Sequence, residues 1–126
     1  MVVLFYAALF TFMYIFLGAY VVKMRRLHRV GLGVGHKFPA LERAVRIHGN
    51  FAENVPLFLV LVTLIEMNGA PFWTLHALCI AMLIGRISHA VGIRHNAGVS
   101  PQRFVGMVLT WLSLLIAAVI ALVLSI

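Results

Sequence analysis

Negative charge is what this sequence has least of. It carries three acidic residues against ten lysines and arginines, and only 10% of its 126 residues are charged. Soluble domains carry about 25% charged residues, so a soluble fold is excluded, and a hydrophobic content of 63% marks a membrane protein. The single cysteine, Cys79, rules out an intrachain disulfide and makes a thiolate metal cage untenable. The six histidines show no metal-ligand spacing on one helix, so no metal site is expected. No serine or cysteine nucleophile has a base beside it, and no internal repeat or low-complexity segment stands out. The opening MVVLFYAALF lacks a basic n-region and a small-residue cleavage site, so a retained span is expected in place of a cleaved signal peptide. The net charge of +7 is dispersed between apolar runs and forms no continuous basic face. It sets membrane topology, and no nucleic-acid partner is expected.

What is there is four apolar runs. A bilayer core takes about 20 apolar residues per helix, so the length allows four spans with short connections and no separate soluble domain. An all-α integral membrane bundle is expected, with helices at about 2–22, 40–67, 72–93 and 101–126. The first run ends in Lys23, Arg25, Arg26 and Arg29, followed by GLGVGHKFPA, where glycines and Pro39 make a loop. The GxGxG there follows a membrane span and no strand precedes it, so a phosphate loop is not expected. Pro39 suits a helix start, Pro56 predicts a kink by freeing the carbonyl of Ala52, and Asn68 to Pro71 make a turn. Trp73 suits an interfacial position. RHNAGVSPQR is a polar loop in which Ser100 and Pro101 form an N-cap and first turn. Both long basic loops should face the cytoplasm and both termini the outer side.

The stretch ERAVRIHGNFAENVP, Glu42 to Pro56, places polar residues where a membrane span tolerates them least. At 100° per residue, Glu42, Arg46, Gly49, Asn50 and Glu53 fall within an arc of roughly 100°, widened to about 140° by Arg43 and Asn54. His48 lies about 160° from Asn50 and belongs to another face. Intramembrane charges cost about 2.5 to 3.5 kcal/mol each on insertion scales and face a bundle interior or a watery cavity, so the stripe is expected to point into the bundle. Structural roles compete with a ligand: a Glu42–Arg46 pair at i,i+4, interhelical hydrogen bonds from Asn50 and Glu53, and a Glu53–Arg86 ion pair. Arg86 and His89 share a face of the third helix. Arg103 stands near the start of the fourth, where the macrodipole disfavours a cation unless an anion is near. Contact with lipid phosphate is its alternative. A multiply anionic, peptide-like ligand suits these clusters.

ERAVRIHGNFAENVPLF closely resembles the signature of the MAPEG family, membrane-associated proteins in eicosanoid and glutathione metabolism. The resemblance extends to VVKMRRLHRV, to Arg86 and His89 as R-x-x-H, and to an arginine opening the fourth helix. It implies a homotrimer in the membrane lipid, of bacterial type, in the inner membrane, binding glutathione near the cytoplasmic side between adjacent subunits. Arg25 or Arg26, Arg43, Arg46, Asn50 and Glu53 would hold the tripeptide, with Arg86 and His89 beside them. Arg103 of a neighbouring subunit would match the catalytic arginine that stabilises the glutathione thiolate. Lowering a thiol pKa of about 8.5 by ~2 units takes about 2.7 kcal/mol, within reach of a desolvated arginine. The activity implied is a glutathione-dependent transferase or peroxidase acting on lipophilic electrophiles or lipid hydroperoxides. Members active on eicosanoids often carry a tyrosine one turn after the position of His89. Ile93 stands there, which points away from eicosanoid chemistry, and the loop before Arg103 differs in length. Two other classes remain: a non-catalytic relative whose stripe is structural or binds anionic lipid, and a proton-coupled exporter with Glu53 as carrier, which the charge bias between loops disfavours.

Overall fold

The computed structural model describes residues 1–96 and 98–126; Ala97, in the polar loop expected before the fourth helix, lies outside the described residues. Four helices make up the chain: α1 (Val2–His28), α2 (Pro39–Met67), α3 (Phe72–His95) and α4 (Pro101–Leu124). All four are long and apolar enough to cross a membrane.

α1 runs past the expected end at residue 22 to His28. Lysine, methionine, arginine and leucine are good helix formers, and Arg25, Arg26 and His28 sit in the last turn, where cations match the macrodipole. The helix stops at Arg29, which adopts a left-handed φ of 54°. There the amides of Arg29 and Val30 donate to the carbonyls of Arg26 and Arg25 at 3.3 and 3.0 Å. α2 begins on Pro39, whose missing N–H costs nothing there, and continues through Pro56 to Met67. α3 passes its expected end at 93 to reach His95. Ser100 caps α4, its hydroxyl accepting the amide of Arg103 at 3.3 Å.

α1 packs on α2 and α3, and α4 packs on α3 and α2; among the described residues α1 and α4 do not touch. The core holds Phe10 of α1, Phe51 and Phe58 of α2, and Leu75 and Met82 of α3. The Phe10 ring lies 6.1 Å from Phe51 and 6.4 Å from Phe58. The outside is apolar as well: Phe12, Phe16, Trp111 and Leu115 are exposed, as a lipid-facing surface requires.

α4 buries Gly106, Thr110, Ser113 and Ala117, one stripe of small residues that lets two backbones approach. A Cβ on Gly106 would lie 2.5 Å from the His89 nitrogen and 2.6 Å from the Gly85 carbonyl oxygen. At the opposite end of the bundle, the Glu66 carboxylate accepts the amides of Val2 and Val3 and caps the positive end of α1. Nothing local signals this contact, because its partners are more than sixty residues apart.

Gly106→Leu should therefore force α3 and α4 apart and cost about 1–3 kcal/mol or more, read by unfolding in mixed detergent micelles. Gly49→Ala, whose Cβ would meet nothing within 4 Å, should be neutral or stabilise by up to ~1 kcal/mol. Equal losses in the two variants would contradict the packing described.

Candidate functional site

At the basic end of the bundle, a cleft of about 280 Å³ is lined by Pro39, Glu42, Arg43, Arg46, Asn50, Ile93 and Arg103. α2 supplies one wall through the spacing Glu42, Arg46 and Asn50, four residues apart and so on one helical face. α4 supplies Arg103 opposite. Its place is fixed from several sides. Ser100 caps its amide, Ser88 of α3 donates to the Gln102 carbonyl at 2.8 Å, and a Cβ on Gly92 would lie 2.6 Å from the Arg103 nitrogen. The Arg103 guanidinium reaches the Gly98 carbonyl at 3.5 Å.

Three arginines thus border one cleft. Among the described residues the one ion pair is His36 with Glu42, at 3.4 Å. Glu42 shares the cleft but makes no ion pair with these arginines, and like charges bordering one cleft favour an anion between them. The expected Glu42–Arg46 pair does not form, because Glu42 turns to His36 in the loop.

Behind the cleft, Arg86 is buried to 3% exposure. Its guanidinium donates to the Asn50 carbonyl at 3.4 Å, to the Gly106 carbonyl at 3.4 Å, and to the Thr110 hydroxyl. Its Nε has no partner. The expected ion pair of Arg86 with Glu53 is absent: Glu53 is exposed, and neutral oxygens of α2 and α4 hold the arginine instead. His89 is buried beside Gly106 and does not line the cleft.

The expectation that the α2 stripe points into the bundle holds in part: Glu42, Arg43, Arg46 and Asn50 line the cleft between α2 and α4, whereas Glu53 does not. Arg46 and Glu53 are exposed in the single chain and Asn50 is half-buried, because the buried face of α2 is Ile47, Phe51, Val55 and Phe58. Helical periodicity places residues on a common face but does not say which face turns inward. His48 indeed faces elsewhere: its ring centroid is 4.8 Å from that of Tyr14, beside Gly18. Arg25 donates to the Gly33 carbonyl at 2.8 Å and fastens the α1–α2 loop, Arg26 is exposed, and neither lines the cleft.

The structure therefore brings together Arg43, Arg46, Asn50 and Arg103 of one chain, where the family resemblance puts Arg103 on a neighbouring subunit. It leaves Arg25, Arg26, Glu53, Arg86 and His89 outside the lining. Glu42 and Ile93 line the cleft, although neither is among the residues expected to bind a ligand. The signal for Glu42 is its place in the same arc as Arg46 and Asn50.

The model of the MAPEG family matches residues 3–123. Two curated relatives, each called inner membrane protein YecN, come from Escherichia coli strain K12 and Escherichia coli O6:H1. Each is 42% identical over 96 residues, covering 76% of this chain and 71% of the relative. No solved structure matches.

Thr110→Val removes the hydroxyl under Arg86 and should cost about 1–3 kcal/mol, the desolvation penalty of an unmet buried donor. In the double variant Arg86→Met, Thr110→Val much of that loss should be recovered, since an apolar pair leaves no orphaned charge. Strictly additive unfolding energies would show that the two side chains do not interact.

Proposed function

The chain belongs to the MAPEG family, and from that premise we propose that it is a glutathione-dependent enzyme conjugating the tripeptide to lipophilic electrophiles or reducing lipid hydroperoxides. The observation that carries this reading is Arg103 facing Arg43, Arg46 and Asn50 across one cleft whose arginines make no ion pair among the described residues.

The lining suits the ligand's chemistry. Glutathione presents two carboxylates, one ammonium, two amides and a thiol. Arg43 and Arg46 match the carboxylates, since the guanidinium fork pairs carboxylate oxygens two at a time. Glu42 matches the ammonium and Asn50 an amide. Arg103 is left for the sulfur. Its position at the start of α4 adds the positive helix end to its own charge, so an anion there is favoured twice. Glutathione supplies the sulfur nucleophile. The chain's part is to hold the tripeptide, favour the thiolate at Arg103, and present it beside an apolar surface. Arg86 positions Asn50 from behind through its carbonyl.

Homotrimer formation belongs to the same proposal. Glu53 lies about 21 Å along α2 from its start, at membrane depth and exposed in the single chain. A charge there needs cover, and a neighbouring subunit provides it, bringing Glu53 and Arg26 to the edge of a cleft shared between chains. The basic loops then face the cytoplasm, and the relatives' name supports a bacterial inner membrane.

One observation favours a second reading. Ile93 lines the cleft and offers no hydroxyl, so in the assignment proposed above Arg103 is left as the sole donor to the sulfur. If Arg103 alone is insufficient, the protein binds glutathione or another small anion without turnover.

The test is the ultraviolet absorbance of the thiolate on adding glutathione to purified protein, with conjugation of a generic electrophile measured beside it. Wild type should show a thiolate signal at neutral pH. Arg103→Ala should lose that signal and about 100-fold in rate, the equivalent of ~2.7 kcal/mol. Arg46→Ala should instead weaken binding by about tenfold or more, as for a lost charge-assisted hydrogen bond. Wild-type protein with neither thiolate nor turnover would eliminate the enzyme.

A further inference from the structure

A second groove, of about 180 Å³, opens between α1 and α3 and is separate from the arginine cleft. Met13, Leu17, Ile87 and Ala90 form much of its apolar length, and Tyr20 and Arg94 stand at one end. From Tyr20 back to Met13, and from Arg94 back to Ile87, each wall runs about 10 Å. That is most of the ~15 Å depth of one bilayer leaflet. The groove is therefore apolar over the acyl depth and cationic at the headgroup depth.

Arg94 is exposed and sits in the last turn of α3, where the helix end is negative and a cation is favoured. Its guanidinium carbon lies 6.0 Å from the centroid of the Tyr20 ring, within reach of a cation–π contact. No protein carboxylate pairs with it among the described residues. The three glutamates are elsewhere: Glu42 in the arginine cleft, Glu53 on the outer face of α2, and Glu66 capping α1 at the far end. A helix with its side chains is about 10–12 Å across, too wide for a groove of this volume. An acyl chain is not.

We infer that this groove holds one anionic phospholipid, its acyl chain along Met13, Leu17, Ile87 and Ala90 and its phosphate on Arg94. A zwitterionic lipid finds the phosphate contact but no carboxylate for its ammonium group, whereas an anionic headgroup meets Arg94 with nothing left over. The site does not depend on the arginine cleft or on what that cleft binds.

The experiment is native mass spectrometry of the protein reconstituted into vesicles of equal phosphatidylglycerol and phosphatidylcholine, then released with its bound lipid. Wild type should retain one phosphatidylglycerol per chain in preference to phosphatidylcholine. Arg94→Gln should lower that preference about fivefold, the effect of one basic residue at an anionic surface, and Arg94→Lys should keep most of it. Ala90→Phe, which fills the groove, should release both lipids at unchanged helical content. Arg29→Gln removes the same charge from the exposed turn after α1 and should change nothing. The inference is overturned if wild type shows no preference, or if Arg29→Gln and Arg94→Gln lose phosphatidylglycerol equally. It is overturned as well if Arg94→Gln keeps the wild-type preference.

Discussion

A full positive charge, Arg86, is held inside the bundle by neutral oxygens alone, and the geometry of the cleft depends on it. Its guanidinium joins the Asn50 carbonyl of α2 to the Gly106 carbonyl and Thr110 hydroxyl of α4. An isolated buried ion is among the costliest elements a membrane protein can contain. Here the cost is offset because α2 and α4 supply acceptors at one point on α3. The arrangement needs α4 close against α3, and Gly85 and Gly106 are where the backbones meet. The polar core contact and the small-residue stripe are thus one constraint, since without the close approach Arg86 has no acceptor on α4.

From that point the cleft follows by helix geometry. Arg103 lies three residues before Gly106, about one turn nearer the basic end. Asn50, whose carbonyl Arg86 holds, is the deepest α2 residue of the cleft lining, which continues through Arg46 to Glu42. Fixing α4 against α3 and α2 therefore fixes the distance across which Arg103 faces Arg43 and Arg46. Ser100 and Ser88 add local precision by fastening the first turn of α4. The cations are placed by contacts that do not engage their own charges with a carboxylate, which leaves those charges free for an anion.

Much of this architecture is readable in the residues. The four apolar runs, the Pro39 and Pro101 helix starts, the Ser100 cap and the separate face of His48 follow from local rules that bilayer burial reinforces. The end of α1 does not. Hydropathy marks where apolar character stops, whereas the helix stops where backbone groups find caps, at Arg29. The direction of the α2 stripe is hidden for a similar reason: periodicity fixes relative angles, and the absolute facing depends on which apolar face the neighbours bury. Arg86 shows the limit most clearly. A sequence displays one nearby carboxylate as the natural partner, Glu53, but carbonyl oxygens carry no sequence signature, and those of Asn50 and Gly106 are the ones that hold the arginine. Glu66 at the start of α1 is hidden on the same ground, because its acceptor role is met by backbone amides.

The arginine cleft is the centre of the functional account, and its most direct test is an experimental structure with glutathione soaked into the reconstituted protein. The expected result is the tripeptide along Glu42, Arg43, Arg46 and Asn50, with its sulfur within hydrogen-bond distance of the Arg103 guanidinium. A tripeptide bound elsewhere, or bound in the cleft with its sulfur turned away from Arg103, would contradict it.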